Sequence, residues 1–256
     1  MGGTFGSAGR LSVAVDWSGD ARAESTTHPK LWIAEAVDGE LRSLAPTSRT
    51  GAVDAIIEAA DRAGDGLLAG LDFSFAYPAW FMRELGCSSG PEVWGRTLDP
   101  SQPPFYGAKG TAAPPAERRY RETEVRLRAS GRWCGSTFQV RGPGSVGTGT
   151  LRGLPHLRRL ARAGLRVWPF DRHPGPVVAE VYPRMFTGPV VKSRADARAA
   201  AWAAARVPAP AALCELALGS EDAFDAALTA VALSRGGAAP TEPPPVAAVE
   251  GWVWGA

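Results

Sequence analysis

The sequence predicts an α/β fold: a mixed central sheet flanked by helices, with a large loop-and-helix insertion. Three observations predict it. Short continuous apolar runs of buried-strand type, LSVAV and GLLAGL, alternate with segments of helical spacing. Two strand-like runs enclose Asp38-Gly39, a strong hairpin dipeptide. The regular pattern then breaks over 75–150, where Pro, Gly and charge replace it. Residues 1–256 read as one domain, with 1–10 a flexible tail and 75–150 an insertion within it.

LSVAVDWSG reads as a buried strand running into a Gly turn, and LWIAEAVDGELRSL as a hairpin. Residues 51–63 place Val53, Ile56, Ile57 and Ala60 at helical spacing and stop at Gly64. GLLAGLDFSF is a further buried strand. In the insertion, AYPAWFMRELG reads as a short helix, PEVWGRTLDPSQPPFYGAKGTAAPP as a long loop and AERRYRETEVRLRA as a polar helix. SVGTGTLRG reads as a Gly-rich connection, and LPHLRRLARAG as a helix ending at Gly164. GLRVWPF and PVVAEVYP are two strands around the turn DRHPG, and RADARAAAWAAARV is an Ala-rich helix. SEDAFDAALTAVALSRG is the clearest helix: Ser220 is a good N-cap and Gly236-Gly237 a good stop. TEPPP reads as a linker, and VEGWVWGA closes the chain as a strand docking on the core.

Composition narrows the class. The chain is 45% hydrophobic and 21% charged, which excludes a fibre or a disordered protein. Its net charge of +2 argues neither for nor against nucleic acid. Cys87, Cys134 and Cys214 are far apart, with no C-x-x-C, against a disulfide framework or a structural zinc site. His28, His156 and His173 are equally scattered. No stretch reaches the ~18 apolar residues of a membrane helix, so we expect a cytoplasmic, reduced protein without membrane partners.

The chemistry lies in carboxylates at the ends of apolar runs. Asp16 ends LSVAVD, Asp72 follows GLLAGL, and Glu180 sits in VVAEVYP. Asp222 and Asp225 share a face of the last helix with Thr229 by their 3 and 4 spacing. Each has a bland reading. Asp16 fits a turn before Gly19, Asp72 a cap on Phe-Ser-Phe, Glu180 an ion pair with an arginine such as Arg184, and Asp222 a first-turn residue stabilised by the helix dipole. Four acid-bearing segments in one chain point instead to a shared anionic cleft, which needs protons or a cation.

The pieces VAVDWSGD, LAGLDFSFAYP, GLRVWPF, VVAEVYPRMF, SEDAFDAALTAVAL and EGWVW resemble the domain of unknown function 429 family, predicted nucleases with a ribonuclease H-like fold. They are short but span 13–254. The resemblance implies a meander, a helix, a fourth strand and a last acidic helix. It implies catalytic roles for Asp16, Asp72 and Asp225. It also implies an Mg²⁺ or Mn²⁺ site drawn from Asp16, Asp72, Glu180, Asp222 and Asp225, working by two-metal phosphodiester chemistry. No histidine lies near the acidic motifs, which leaves the base to water. From Arg96 to Arg141 the insertion holds nine basic and four acidic residues. Arg118, Arg119, Arg121, Arg126 and Arg128 would hold a nucleic-acid backbone, or else pair along a solvated helix. The alternatives are a nucleotide- or phosphometabolite-binding protein related to actin-like ATPases, and a non-catalytic scaffold.

Two motifs compete. GPGSVG at 142–147 matches G-x-G-x-x-G, yet the helix is expected only from about Pro155, too late for a dinucleotide turn. The weaker reading is a phosphate on the amides of Ser145 to Thr150. GCSSG at 86–90 matches G-x-S-x-G around Ser88, without the strand-then-helix context of a nucleophile elbow.

Overall fold

A computed structural model of the chain describes residues 10–25, 27–107, 111–142, 145–237 and 242–256. The remainder of the expected tail, Lys109, and Pro143-Gly144 of the glycine motif lie outside the described residues.

Strands β1 (Leu11–Asp16), β2 (Trp32–Val37) and β3 (Glu40–Pro46) form an antiparallel meander. The β2–β3 turn is the expected one: Asp38 and Gly39 both take positive φ, at 50° and 83°. β4 (Leu67–Leu71), β5 (Arg166–Trp168) and β6 (Val177–Glu180) extend the sheet in parallel, giving the order β3-β2-β1-β4-β6-β5.

Alternation along these strands divides the core. Val13, Val15, Ala69, Leu71 and Val178 face one side, against α1 (Arg49–Ala63) and α5 (Val146–Arg162). Ala14, Ala34 and Ala36 face the other, under α9 (Glu221–Ser234), which α7 (Ala195–Ala205) and α8 (Ala211–Gly219) support. α9 lies close to the sheet because both surfaces are small. Ala223, Ala226, Ala227 and Ala230 meet the strand alanines, and a methyl at Gly70 would fall 2.9 Å from Leu233. Ser220 caps α9 by accepting from the Ala223 amide at 3.0 Å, as the sequence predicts. At the other end Ser234 Oγ accepts from the Gly39 amide at 2.9 Å, tying α9 to the hairpin turn. Among the described residues no helix is long and apolar enough to cross a membrane.

The structure corrects several expectations. α5 begins at Val146, not near Pro155, so the supposed connection SVGTGT is its first turns. Its glycines serve close approach: a methyl at Gly153 would sit 2.4 Å from the Phe73 ring. The short run TFQV is not a sheet strand, since Gln139 makes only an isolated bridge to Tyr106, so no strand-turn-helix dinucleotide unit forms. α8 and the short α6 (Arg184–Thr187) are not foreseen from the sequence. The last segment forms α10 (Ala247–Glu250) and then touches β6 through one bridge, Val253 to Glu180, rather than as a strand.

The insertion is part of the core. It starts with α2 (Ala79–Glu84), and Tyr77, Phe81, Phe105 and Phe138 pack mutually, Tyr77 and Phe138 stacking at 5.6 Å. Its expected polar helix is two pieces, α3 (Ala116–Arg119) and α4 (Glu122–Ala129), broken by extended backbone at Tyr120. The break turns Arg121 inward. Fully buried, it pairs with Glu124 and with Glu180 of β6, and donates to the Glu250 carbonyl at 2.9 Å and to Ser74 Oγ at 3.1 Å. Glu250 in turn accepts from the amides of Ala79 and Glu122 at 2.6 and 2.7 Å. One guanidinium therefore joins α4, β6, α10 and the segment after β4.

Removing one partner of a buried ion pair exposes the full desolvation cost of the others, about 3–5 kcal/mol. Arg121→Met is expected to lower unfolding free energy by about that amount in urea denaturation. A loss below ~1 kcal/mol would show that the network does not hold the insertion.

Candidate active site: an acidic cleft at the strand ends

Asp16 and Asp72 meet because β1 and β4 are parallel neighbours in register. Val15 lies opposite Leu71, and the Asp72 amide donates to the Val15 carbonyl at 3.2 Å. The next pair along is Asp16 and Asp72, both turned to the α9 face by the two-residue alternation. α9 supplies Asp222 and Asp225 there from its first two turns. All four line one cleft of about 620 Å³. Asp222 sits at its half-buried rim and Asp225 is 4% exposed.

Glu180 departs from the expected set. It lies opposite Leu71, one residue out of step with Asp72, and so faces the other side of the sheet. There it holds Arg121 and accepts from the Phe75 amide at 3.0 Å. Its partner is Arg121, not Arg184. This is the expected buried ion pair with a different arginine, and Glu180 influences Asp72 only as a nearby charge.

The opposite wall of the cleft is the first turn of α5, with Ser145, Val146, Thr148 and Gly149, and the loop after β1. The two are in backbone contact. A methyl on Gly19 would fall 2.4 Å from the Gly149 nitrogen, so only glycine fits. Arginines clamp that loop from outside. Arg49 donates to the Ser18 and Asp20 carbonyls, each at 2.7 Å, and Arg152 to the Gly19 carbonyl at 2.6 Å. No side chain caps α5, so its early amides and positive dipole end favour an anion. The Gly147 amide is engaged by the Gln139 carbonyl.

The electrostatics are those of crowded carboxylates. Burial, then the charges of Asp225, Asp72 and Asp222, push Asp16 well above its ordinary pKa. Burial and Asp225 push Asp72 to about 8, against the opposing pull of Lys192. Burial also raises Asp222 and Asp225. Lys192 from the α6–α7 connection pairs with Asp225 Oδ2, while Asp225 Oδ1 has no hydrogen-bond partner. Thr229 Oγ1, one turn further along α9, is also buried and unpartnered.

No protein-family model, curated protein or solved structure matches this chain.

Among the described residues no three His, Cys, Asp or Glu side chains stand ready to enclose a metal ion. The donor chemistry nevertheless fits one. The converging groups are hard carboxylate oxygens, suited to Mg²⁺ or Mn²⁺. One of those oxygens is buried without a partner.

The basic residues proposed as nucleic-acid contacts line none of this cleft. Arg121 is withdrawn from that surface by burial. Arg118 pairs with Glu84 and lies 3.8 Å over the Trp80 ring, and Arg126 pairs with Glu122. Arg119 and Arg128 donate to the Pro114 and Cys134 carbonyls. Ser88, the G-x-S-x-G candidate, is bonded to Glu92 at 2.6 Å in a helix-stop loop. Trp133 and Lys192 escape sequence reasoning. Trp133, 62% exposed, borders a second cavity of about 200 Å³ that shares Asp72 and Val146 with the acidic cleft.

The raised carboxyls fix a sign for pH. The folded state keeps protons that the unfolded chain releases near pH 4, so their stabilising effect is complete below that value. It is lost as pH rises towards about 8. In metal-free buffer the melting temperature is expected to fall between pH 5 and 8.5. Asp72→Asn should flatten that fall by at least ~1 kcal/mol, the equivalent of less than one pKa unit. Parallel profiles for parent and variant would mean Asp72 titrates normally.

Proposed function

We propose that this chain is a divalent-cation-dependent phosphodiesterase of ribonuclease H-like fold that acts on nucleic-acid strands. The observation that carries the reading is the convergence of Asp16 and Asp72, side by side on parallel strands, with the unpartnered Asp225 Oδ1. The meander followed by parallel strands, with an acidic helix packed across them, supports the fold assignment.

Asp16, Asp72 and Asp225 would hold Mg²⁺ or Mn²⁺, with Asp222 at the rim. A bound ion would supply Lewis-acid polarisation of a phosphoryl oxygen and neutralise the developing charge. The first turn of α5 would favour an anionic group on the opposite wall through its dipole. Trp133 offers a base an exposed ring next to Asp72, as stacking platforms for single strands do. Exposed Arg118, Arg126 and Arg128 remain as backbone contacts once Arg121 is buried. Glu180 is a structural partner of Arg121 in this reading, not a ligand.

A second reading has one observation in its favour. The start of α5 lies directly on the cleft, where a nucleotide phosphate would be cradled without strand cleavage. Metal-dependent stabilisation by a nucleotide, with no cleavage of oligonucleotides, would select it.

Millimolar Mn²⁺ is expected to raise the melting temperature of the parent and to leave Asp16→Asn unchanged. Cleavage of a single-stranded oligonucleotide should drop at least ~100-fold in that variant, since several kcal/mol of charge stabilisation are lost. Equal cleavage by both would refute the assignment. Trp133→Ala should raise KM about 5- to 150-fold, the worth of one stacked base, with the Mn²⁺ thermal shift intact. An unchanged KM would remove Trp133 from the substrate path.

A further inference from the structure

We propose that Lys192 is a resident cation of the acidic cleft, standing in the place of a second metal ion. The carboxylates then take one divalent ion rather than a pair. This inference rests on the cation reading of the cleft given above.

Composition makes the first argument. Of 28 basic residues in the chain only three are lysine, yet the two basic residues among those lining the cleft are Lys30 and Lys192. Elsewhere arginine does almost all the pairing. The chemistry of the cleft explains the exception. An ammonium is a compact point charge that fits between carboxylates as a metal ion does, whereas a guanidinium is planar and broad. Lys30 is exposed and pairs with Asp20 at 3.3 Å, towards the mouth. Lys192 lies deeper, its side chain 18% exposed, on Asp225.

The second argument is how Lys192 is carried. Its loop is fixed from both flanks. Arg184 donates to the Val190 carbonyl at 2.7 Å, and Arg198 donates to the Lys192 carbonyl itself. Arg198 is buried and anchored to the Leu218 carbonyl at 2.7 and 3.1 Å. Two arginines thus hold the backbone that presents one lysine, which is preorganisation and not a chance surface pair.

The third argument is the division of Asp225. Oδ2 is committed to Lys192 and Oδ1 is left without a partner, in a side chain 4% exposed. With Oδ2 held by the ammonium, Asp225 would offer one free oxygen to a cation, and the positive charge already seated beside it would disfavour a second divalent ion at that position.

The test counts Mn²⁺ per chain by calorimetric titration and by the electron paramagnetic resonance of unbound Mn²⁺, at pH 7.5. It uses the parent, Lys192→Gln and Lys192→Met. One ion is expected in the parent and two in each variant. Lys192→Gln should also melt several degrees lower than the parent without metal and recover with Mn²⁺. Two ions in the parent would overturn the proposal, as would one ion in all three proteins, and neither result touches the cation reading. If Lys192→Gln does not fold, the count in Lys192→Met decides. No Mn²⁺ bound by the parent would overturn the cation reading itself, and this inference with it.

Discussion

The register of β1 against β4 is the constraint on which the rest depends. Because the strands are parallel and Val15 faces Leu71, their terminal aspartates come out side by side and on the same face. A slip of one residue would send one of them into the apolar layer between the sheet and α1. The same alternation sends Glu180, opposite Leu71, to the reverse face. One end of one sheet thereby carries two ionic centres, separated by the thickness of the strands.

The two centres are finished differently. On the α1 side, Glu124 and Glu180 share a guanidinium, and Glu250 takes two backbone amides, so each carboxylate there has donors within the protein. On the α9 side four carboxylates share one close ammonium, and an oxygen of Asp225 is left over. Buried polar groups in native proteins are nearly always satisfied. The same residue types are thus fully partnered on one face of the sheet and incompletely partnered on the other. The aspartates accordingly hold protons at pH values where ordinary carboxyls have none.

Much of this was legible in the sequence, and the reasons are specific. The hairpin at Asp38-Gly39, the helix capped by Ser220 and the buried runs ending in Asp16 and Asp72 each follow a local rule, and tertiary packing agrees with it. Asp222 and Asp225 were found because helical spacing places them together. α5 was missed at its start because glycine in a helix is unfavourable taken alone. The close approaches that call for glycine are made by residues outside the helix: Gln139 and Thr137 against Gly147, Gly19 against Gly149, and Phe73 against Gly153. Arg121 reads as a surface residue because its neighbours Arg119, Glu122 and Arg126 are polar, and nothing local announces that Tyr120 breaks the helix. The resemblance groups Glu180 with the metal ligands, and sequence shows that an acid ends a strand, not which way it points. Lys192 lies in an irregular connection, where no periodicity exists to read.

Arg121 also bears on how such a chain can change its length. Segments inserted into a fold are commonly removable, since their ends lie close and their contacts are their own. Here the inserted stretch lends its arginine to a glutamate of the central sheet and takes back the carboxylate of Glu250 from near the C-terminus. Excising 75–150 as a cassette would take away the arginine that neutralises Glu180 and both amides that donate to Glu250, so the sheet and α10 would lose their partners together with the inserted stretch.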